Sequence, residues 1–441
     1  MLNQKALMNE NICSRVWTQP IKGTREGNEK IGLEMEMHAY DSNTLAPIGT
    51  NGSKMDVQIL LKRVAEISTP IKIKYDESSS LITDVFFKQG GNISAEPGGQ
   101  IEFSSAPYER LSDLIENVTK GLKILEEASD GELVFLSHGT NPIAAEDHPL
   151  VLPKERYQIM TRYFESAPQV RGVDMMRHSA TVQANLDIFG DENWQDAVDL
   201  ILVLVPITQN LFANSRFLKG KKSKFYSERQ EIWNQMDPTR SGIPINMPFA
   251  ENSECAYAEW ARKANVFYVE GLSIKDQPLY NELTFENWLK NGYKGIFPDI
   301  TSWETHLGTL FPHLRLRDFL EIRHIDAQPF EHTLAPIAFF HALAKTKKIR
   351  QAVWDLLKKN KVDVKNVFNS NSSFSHLYNP LLDFAVDILN QHKEFEGMKA
   401  VLAYKNFLLL KESYWEANSA KEFVTKNITF NPSQEFLKNL L

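Results

Sequence analysis

Four short segments of the chain alternate apolar and polar residues with a period of two, the pattern of a half-buried β-strand, and each carries carboxylates on its polar side. In "IGLEMEMHAY", Ile31, Leu33, Met35 and Met37 share one face, and Glu34, Glu36 and His38 share the other. In "GQIEFSS", Ile101 and Phe103 oppose Gln100, Glu102 and Ser104. In "ATVQANLDI", Val182, Ala184, Leu186 and Ile188 oppose Thr181, Gln183, Asn185 and Asp187. In "FLEIRHI", Glu321 and Arg323 fall together. The apolar faces need a covering layer, and like charges gathered on the other face repel unless cations compensate them.

Helical spacing of apolar residues marks Met55–Ile67, Leu111–Ala128, Trp194–Phe212 and several segments after about His332. Helices and strands do not alternate regularly, so a doubly wound parallel sheet is not expected. The pattern predicts an α+β fold, a mainly antiparallel sheet with helices packed on one face. "DESSS" at Asp76–Ser80, "NSNSSFS" at Asn369–Ser375 and the basic "FLKGKKSKF" at Phe217–Phe225 read as loops.

A net charge of −7 argues against non-specific nucleic-acid binding and a basic membrane-surface role. The most apolar run, "AVDLILVLVPITQNLFA", contains Asp199 and Pro206 and falls short of the ~20 residues a spanning helix needs. Two cysteines, Cys13 and Cys255, are too few for a disulfide framework. With no signal-like N-terminal stretch in "MLNQKALMNENICSRVW", the expectation is a cytoplasmic protein acting on small molecules, with no nucleic-acid or membrane partner. The sequence assigns no oligomeric state.

"ISAEPGGQIEFSSAP", Ile93–Pro107, sets Glu96 and Glu102 on either side of a Pro-Gly-Gly turn. Such a turn permits tight reversal and close backbone approach to a ligand, so both carboxylates could serve one site. Phosphate-loop, dinucleotide-fold and H-E-x-x-H patterns are absent. His306, His313, His324 and His332 show no zinc spacing, and Cys255 has no basic neighbour to activate it. Two readings of the carboxylate faces stay open: a wet acidic sheet surface, or a site for Mg²⁺ or Mn²⁺, hard cations that bridge carboxylates to phosphates.

Taken in order, "NEKIGLEMEMHAYD", "EPGGQIEFSSAP", "LPKERYQIM", "DMMRHSATVQANLD", "FANSRF", "SERQEIW", "DPTRSGIP" and "SWETHLGTLFPHLRLRDFLEIRHIDA" resemble the plant and proteobacterial type of glutamate–cysteine ligase, from about residue 29 to about residue 345. The resemblance implies a glutamine-synthetase-like antiparallel sheet forming a funnel with helices outside. It divides the chain into an extension (1–28), a catalytic domain (29–345) and a C-terminal helical region (346–441) packed on it. It implies an ATP-dependent ligase that phosphorylates the γ-carboxylate of glutamate and passes it to the amine of cysteine, with a different acid or amine as the alternative. Glu34, Glu36, Glu96, Glu102 and Glu321 would hold the divalent ions, with Gln183 and Asn185 beside the nucleotide. Arg229 and Arg323 would offset charge on the phosphoryl group and the substrate carboxylate. Arg156 and Tyr157 would line the acceptor side. The chain departs from the plant pattern at His178, Ser179 and Ala180, with Arg177 one place early, and at His324 and Ile325. His178 is therefore read as substrate-side, and His324 and Ile325 as bulky neighbours of the nucleotide.

Overall fold

The alternation beginning at Ile31 is realised as a long strand, β1 (Ile31–Asp41), around which a mainly antiparallel sheet is built. The computed structural model describes residues 18, 20–21, 27–76, 79–167, 169–244, 246–369 and 373–440; Cys13, most of the 1–28 segment and parts of the two serine-rich stretches lie outside them. The other strands of the sheet are β2 (Lys72–Tyr75), β3 (Ile82–Phe86), β4 (Asn92–Ala95), β5 (Ile101–Ser104), β6 (Leu133–Leu136), β7 (Val182–Leu186), β8 (Leu314–Leu316) and β9 (Leu320–Ile322). Their order is β8-β9-β7-β1-β5-β4-β3-β2, with β6 also paired to β1, and every pairing within this sheet among the described residues is antiparallel.

Among the helices that frame this sheet and its site are α1 (Val57–Ser68), α2 (Leu111–Ser129), α3 (Glu155–Glu165), α4 (Gly172–His178), α5 (Asp191–Leu211), α6 (Glu228–Asn234), α7 (Leu334–Ala344), α8 (Tyr378–Gln391) and α9 (Phe395–Tyr414). Leu33, Met35, Met37, Phe103, Val182, Leu186 and Ile322 point to one side and are buried in a core shared with α1, α2, α5, α7, α8 and α9. Close approach of α2 to β5 depends on Gly121, where an added Cβ would lie 2.0 Å from the Phe103 ring. Among the described residues no helix is long and apolar enough to cross a membrane.

One expected loop is ordered further than its composition suggests. Phe217–Leu218 and Lys221–Lys222 pair antiparallel, closed by Lys219 and Gly220 at φ of 50° and 78°. A two-residue hairpin turn demands such left-handed residues, and glycine supplies one without steric cost.

Behind the sheet, α9 buries a cation. Lys411 donates from Nζ to the carbonyl of Leu211, the last residue of α5, and to the Tyr404 hydroxyl, both at 2.9 Å. A cation is favoured at a helix C-terminus, yet burial pulls this amine down to about 7, against partial support from the charges of Asp326 and Glu412. The unfolded chain therefore binds more protons than the folded chain between about pH 7 and the ordinary lysine range. This group makes stability rise with pH across that window, by at most about 1.4 kcal/mol per pH unit. Urea unfolding of Lys411→Met at several pH values should show a flatter rise than the parent; an unchanged slope would mean the amine stays charged in the fold.

Candidate active site

The polar faces of β9, β7, β1 and β5 turn towards one cavity of about 330 Å³. Register explains the assembly: Glu36 stands opposite Glu102, Glu34 opposite Gln183, and Glu321 opposite Asn185. Directly opposed residues of an antiparallel pair lie on the same face with Cβ atoms about 5 Å apart. Beyond β4 the chain reverses at Glu96–Gln100, where Gly99 takes φ +84° and its N–H donates to the Glu96 carbonyl at 2.9 Å. Glu96 and Glu102 thereby line the same cavity.

The Pro-Gly-Gly turn works differently from the sequence expectation. A Cβ on Gly98 would sit 2.2 Å from the Arg177 carbonyl oxygen, so the close backbone approach here is to α4 and not to a ligand. The Gln100 amide fastens the turn by donating to the Ser179 carbonyl at 2.8 Å and accepting from Gly98 N at 3.0 Å.

The carboxylates divide into two electrostatic groups. Burial raises Glu34, Glu36 and Glu102 above the ordinary range, and neighbouring carboxylates add to it: Glu321 for Glu34, Glu96 for Glu36, and Glu96 with Glu34 and Glu36 for Glu102. Glu36 reaches about 8. Their hydrogen bonds come from neutral donors: Asn185 Nδ2 to Glu34 (3.0 Å), Thr181 N to Glu36 (3.0 Å), and Ser104 Oγ (2.9 Å) with Ser94 Oγ (3.3 Å) to Glu102. Tyr157 donates its hydroxyl to Glu96 at 3.3 Å.

Glu321 is different. Burial works against its charge, but Arg315, Arg323 and Arg317 outweigh that penalty and hold it at about 2. Arg315 lies at 3.2 Å, Arg317 at 3.1 Å, and Arg323 pairs with the same carboxylate while donating to Gln183 Oε1 at 2.8 Å. Glu321, expected among the metal ligands, is thus already compensated within the protein. Arg229, buried on α6, donates to the Arg323 carbonyl at 3.1 Å and lies over the Trp233 ring.

Of the expected residues, Glu34, Glu36, Glu96, Glu102, Glu321, Gln183, Arg156, Tyr157, Arg229 and Arg323 line the cavity, and Asn185 stands behind Glu34. His178 does not line it. It is buried against His148, ring centroids 5.4 Å apart. His324 does not line it either: two residues past the end of β9 its side chain is buried, with Nε2 2.7 Å from Thr208 Oγ1 and the ring beside Phe340. Ile325 is likewise in the core. Sequence reasoning passed over Arg315 and Arg317, although "LRLR" beside "LEI" carries a hairpin signal that sets Arg315 opposite Glu321. It also passed over an apolar wall of Met160, Met175, Met176, Trp233 and Phe267, which no periodic pattern announces.

A divalent cation fits the donor chemistry: hard oxygen ligands, half-buried, whose like charges lack a bonded cation. Among the described residues, however, no three His, Cys, Asp or Glu side chains converge closely enough to hold a metal by themselves. The carboxylates surround a space, and a ligand entering it has to complete the coordination.

Comparison with known proteins follows the same outline. The sequence profile described as glutamate–cysteine ligase family 2 matches residues 30–372. The chain is 30% identical over 387 residues to a chloroplastic glutamate–cysteine ligase of Nicotiana tabacum, covering 83% of this chain and 70% of the relative. It is 31% identical over 345 residues to the chloroplastic enzyme of Arabidopsis thaliana, covering 74% of this chain and 61% of that one. In fold it is similar to a glutamate–cysteine ligase of Francisella tularensis crystallised with AMP, at a TM-score of 0.54 and 12% identity, over 93% of this chain and 89% of that chain.

The uncompensated carboxylates make a prediction about the ligand-free protein. A carboxyl raised in the fold binds a proton that the unfolded chain has already lost, so its contribution to stability falls as pH rises above the ordinary carboxylate range. Glu102→Gln keeps the acceptor for the two serines and removes this charge. It should stabilise the ligand-free protein by about 1 kcal/mol or more at pH 8 and less at pH 5, as read by urea unfolding. A loss of stability at both pH values would show that the charge is balanced in the fold.

Proposed function

The chain belongs to the glutamate–cysteine ligase family 2, and we propose that it is an ATP-dependent ligase joining the γ-carboxylate of glutamate to the amine of cysteine, with ADP and phosphate as the other products. The observation that carries this reading is one cavity in which Glu34, Glu36, Glu96 and Glu102 face Arg229, Arg315 and Arg323. Such a division of charge suits phosphoryl transfer, in which the protein positions anions and stabilises charge more than it supplies covalent chemistry.

In this reading Glu34, Glu36, Glu96 and Glu102 would hold Mg²⁺ or Mn²⁺, which would supply positive charge to the polyphosphate. Arg323, anchored by Glu321 and Gln183, presents its guanidinium to the phosphoryl group leaving ATP. Arg229, set between Trp233 and the sheet, faces the carboxylate of the donor acid. The γ-carboxylate attacks the terminal phosphorus and ADP departs; the acceptor amine then attacks the acyl phosphate and releases inorganic phosphate. Met160, Met175, Met176, Trp233 and Phe267 keep water from that reactive acyl group and offer the acceptor an uncharged, polarisable surface. Arg156, over the Tyr268 ring at the rim, and Tyr157 complete the acceptor side. The alternative of a different acid or amine took its motive from His178, His324 and Ile325, none of which lines the cavity.

The test is ADP release by purified protein with Mg-ATP, crossing amino-acid donors with acceptor amines. Glutamate with cysteine should give the highest rate; a different winning pair would keep the ligase chemistry and change the substrates, and no donor-dependent ADP release with any pair would sink the reading. Glu102→Gln should cost about 100-fold or more in turnover and lose the rise in melting temperature that Mg-ATP gives the parent. Unchanged turnover would remove Glu102 from the site.

A further inference from the structure

We infer that Asp326 is the positioning residue of Arg229, and that it links the C-terminal helices to the candidate active site. Three residues beyond Arg323, Asp326 is buried. Its Oδ2 accepts from the Asn214 backbone N–H and the Ser215 hydroxyl, both at 2.7 Å. Its Oδ1 accepts from the Ser227 hydroxyl at 2.9 Å and lies 4.0 Å from Arg229 Nη1. Three neutral donors and one cation around this carboxylate offset part of the cost of burying its charge.

Both serines act on the helix that carries Arg229. Ser227 is the N-cap of α6 and accepts from Gln230 N at 2.9 Å. Ser215 Oγ accepts from the backbone N–H of Arg229 at 3.0 Å. Asp326 therefore holds the first turn of α6 in place and also supplies the counter-charge beside the guanidinium. Arg229 has little else: Nη2 meets the Arg323 carbonyl, the ring of Trp233 lies 5.2 Å away, and Nε is buried without a partner. Clearance around Asp326 is small, since a Cβ on Gly139 would come within 2.8 Å of its side chain.

Behind Asp326, the Asn214 side chain donates to the Ala327 carbonyl at 2.8 Å and accepts from Trp415 Nε1 at 3.2 Å. Trp415 caps α9. The path Trp415–Asn214–Asp326–Arg229 thus runs unbroken from the last long helix to the cavity, which gives the C-terminal helices a part in the reaction beyond burial of apolar surface.

This inference rests on the ligase reading for its kinetic test but has a structural test of its own. Asp326→Asn in the full chain keeps an acceptor for the serines and removes the charge facing Arg229. The KM for the donor acid should rise about tenfold while the KM for ATP stays within about twofold. A crystal structure of the variant beside the parent should show the Arg229 guanidinium displaced from the Arg323 carbonyl. An unmoved Arg229, or a rise of both KM values together, overturns the inference. Should Asp326→Asn not fold, Ser227→Ala makes the same test: a selective rise of about threefold in donor KM supports it, and an equal change in both or no change overturns it. A parent protein that releases no ADP with any donor, while Asp326→Asn still displaces Arg229, defeats the ligase reading and leaves the positioning role standing.

Discussion

Carboxylates that the protein does not itself neutralise are the constraint on which this structure turns. Glu34, Glu36 and Glu102 are half-buried on adjacent strands, accept hydrogen bonds from neutral groups, and are pushed towards protonation by desolvation and by neighbouring carboxylates. A fold keeps such an arrangement only if the rest of the molecule is stable enough to carry its cost. The apolar faces of the same strands supply that stability, because Leu33, Met35 and Phe103 are buried by the alternation that exposes the glutamates to the cavity. A register slip of one residue would put the glutamates in the core and the apolar side chains in the cavity, so packing of the sheet and placement of the charges are one specification.

Opposite charge shares the same space, and Arg323 and Arg229 pull Glu36 down in part, by less than desolvation and Glu96 raise it. Arg315, Arg317 and Arg323 gather on Glu321 at one end of the sheet, and Arg229 approaches from α6. Were these cations to lie against Glu36 and Glu102, the cavity would be self-neutral and have no demand for an external cation. Their separation leaves one wall short of positive charge and the other able to receive anions, the polarity a metal–polyphosphate needs.

The strands and their polar faces were legible in the sequence because a period of two is a local property and each carboxylate lies on a short segment. The helices over 57–68, 111–129 and 191–211 were legible for the same reason. The turn chemistry at Gly98 was readable as tight, but its cause was not: the atom that excludes a side chain there is the carbonyl of Arg177, distant in sequence. His178 and His324 misled because a departure from a family pattern says where a chain differs and not which way the side chain points. Past the end of β9 His324 turns to Thr208 of α5, and His178 packs on His148, a ring 30 positions earlier that no local pattern joins to it. The apolar wall drew on α3, α4, α6 and the strand-free Phe267, and only tertiary structure brings these together.

The same limit explains why the C-terminal helices carried no functional signal in sequence. Their side chains never enter the cavity lining, and their amphipathic pattern announces only burial. In the structure, α9 and its C-cap bring polar groups to a largely apolar interface: Tyr404 and Lys411, both bound to the end of α5, and Trp415, bound to Asn214. Buried polar groups of this kind add little net stability compared with apolar side chains of the same size. Their worth lies in specificity of placement, because a buried donor that loses its acceptor costs more than the bond itself contributed. Asp326 stands where this network meets the cavity, its charge acting on both Lys411 and Arg229. Mispacking of α9 against α5 would therefore be felt first at Asp326 and through it at the arginine, so correct assembly of the C-terminal helices and correct aim of Arg229 are bound into one requirement.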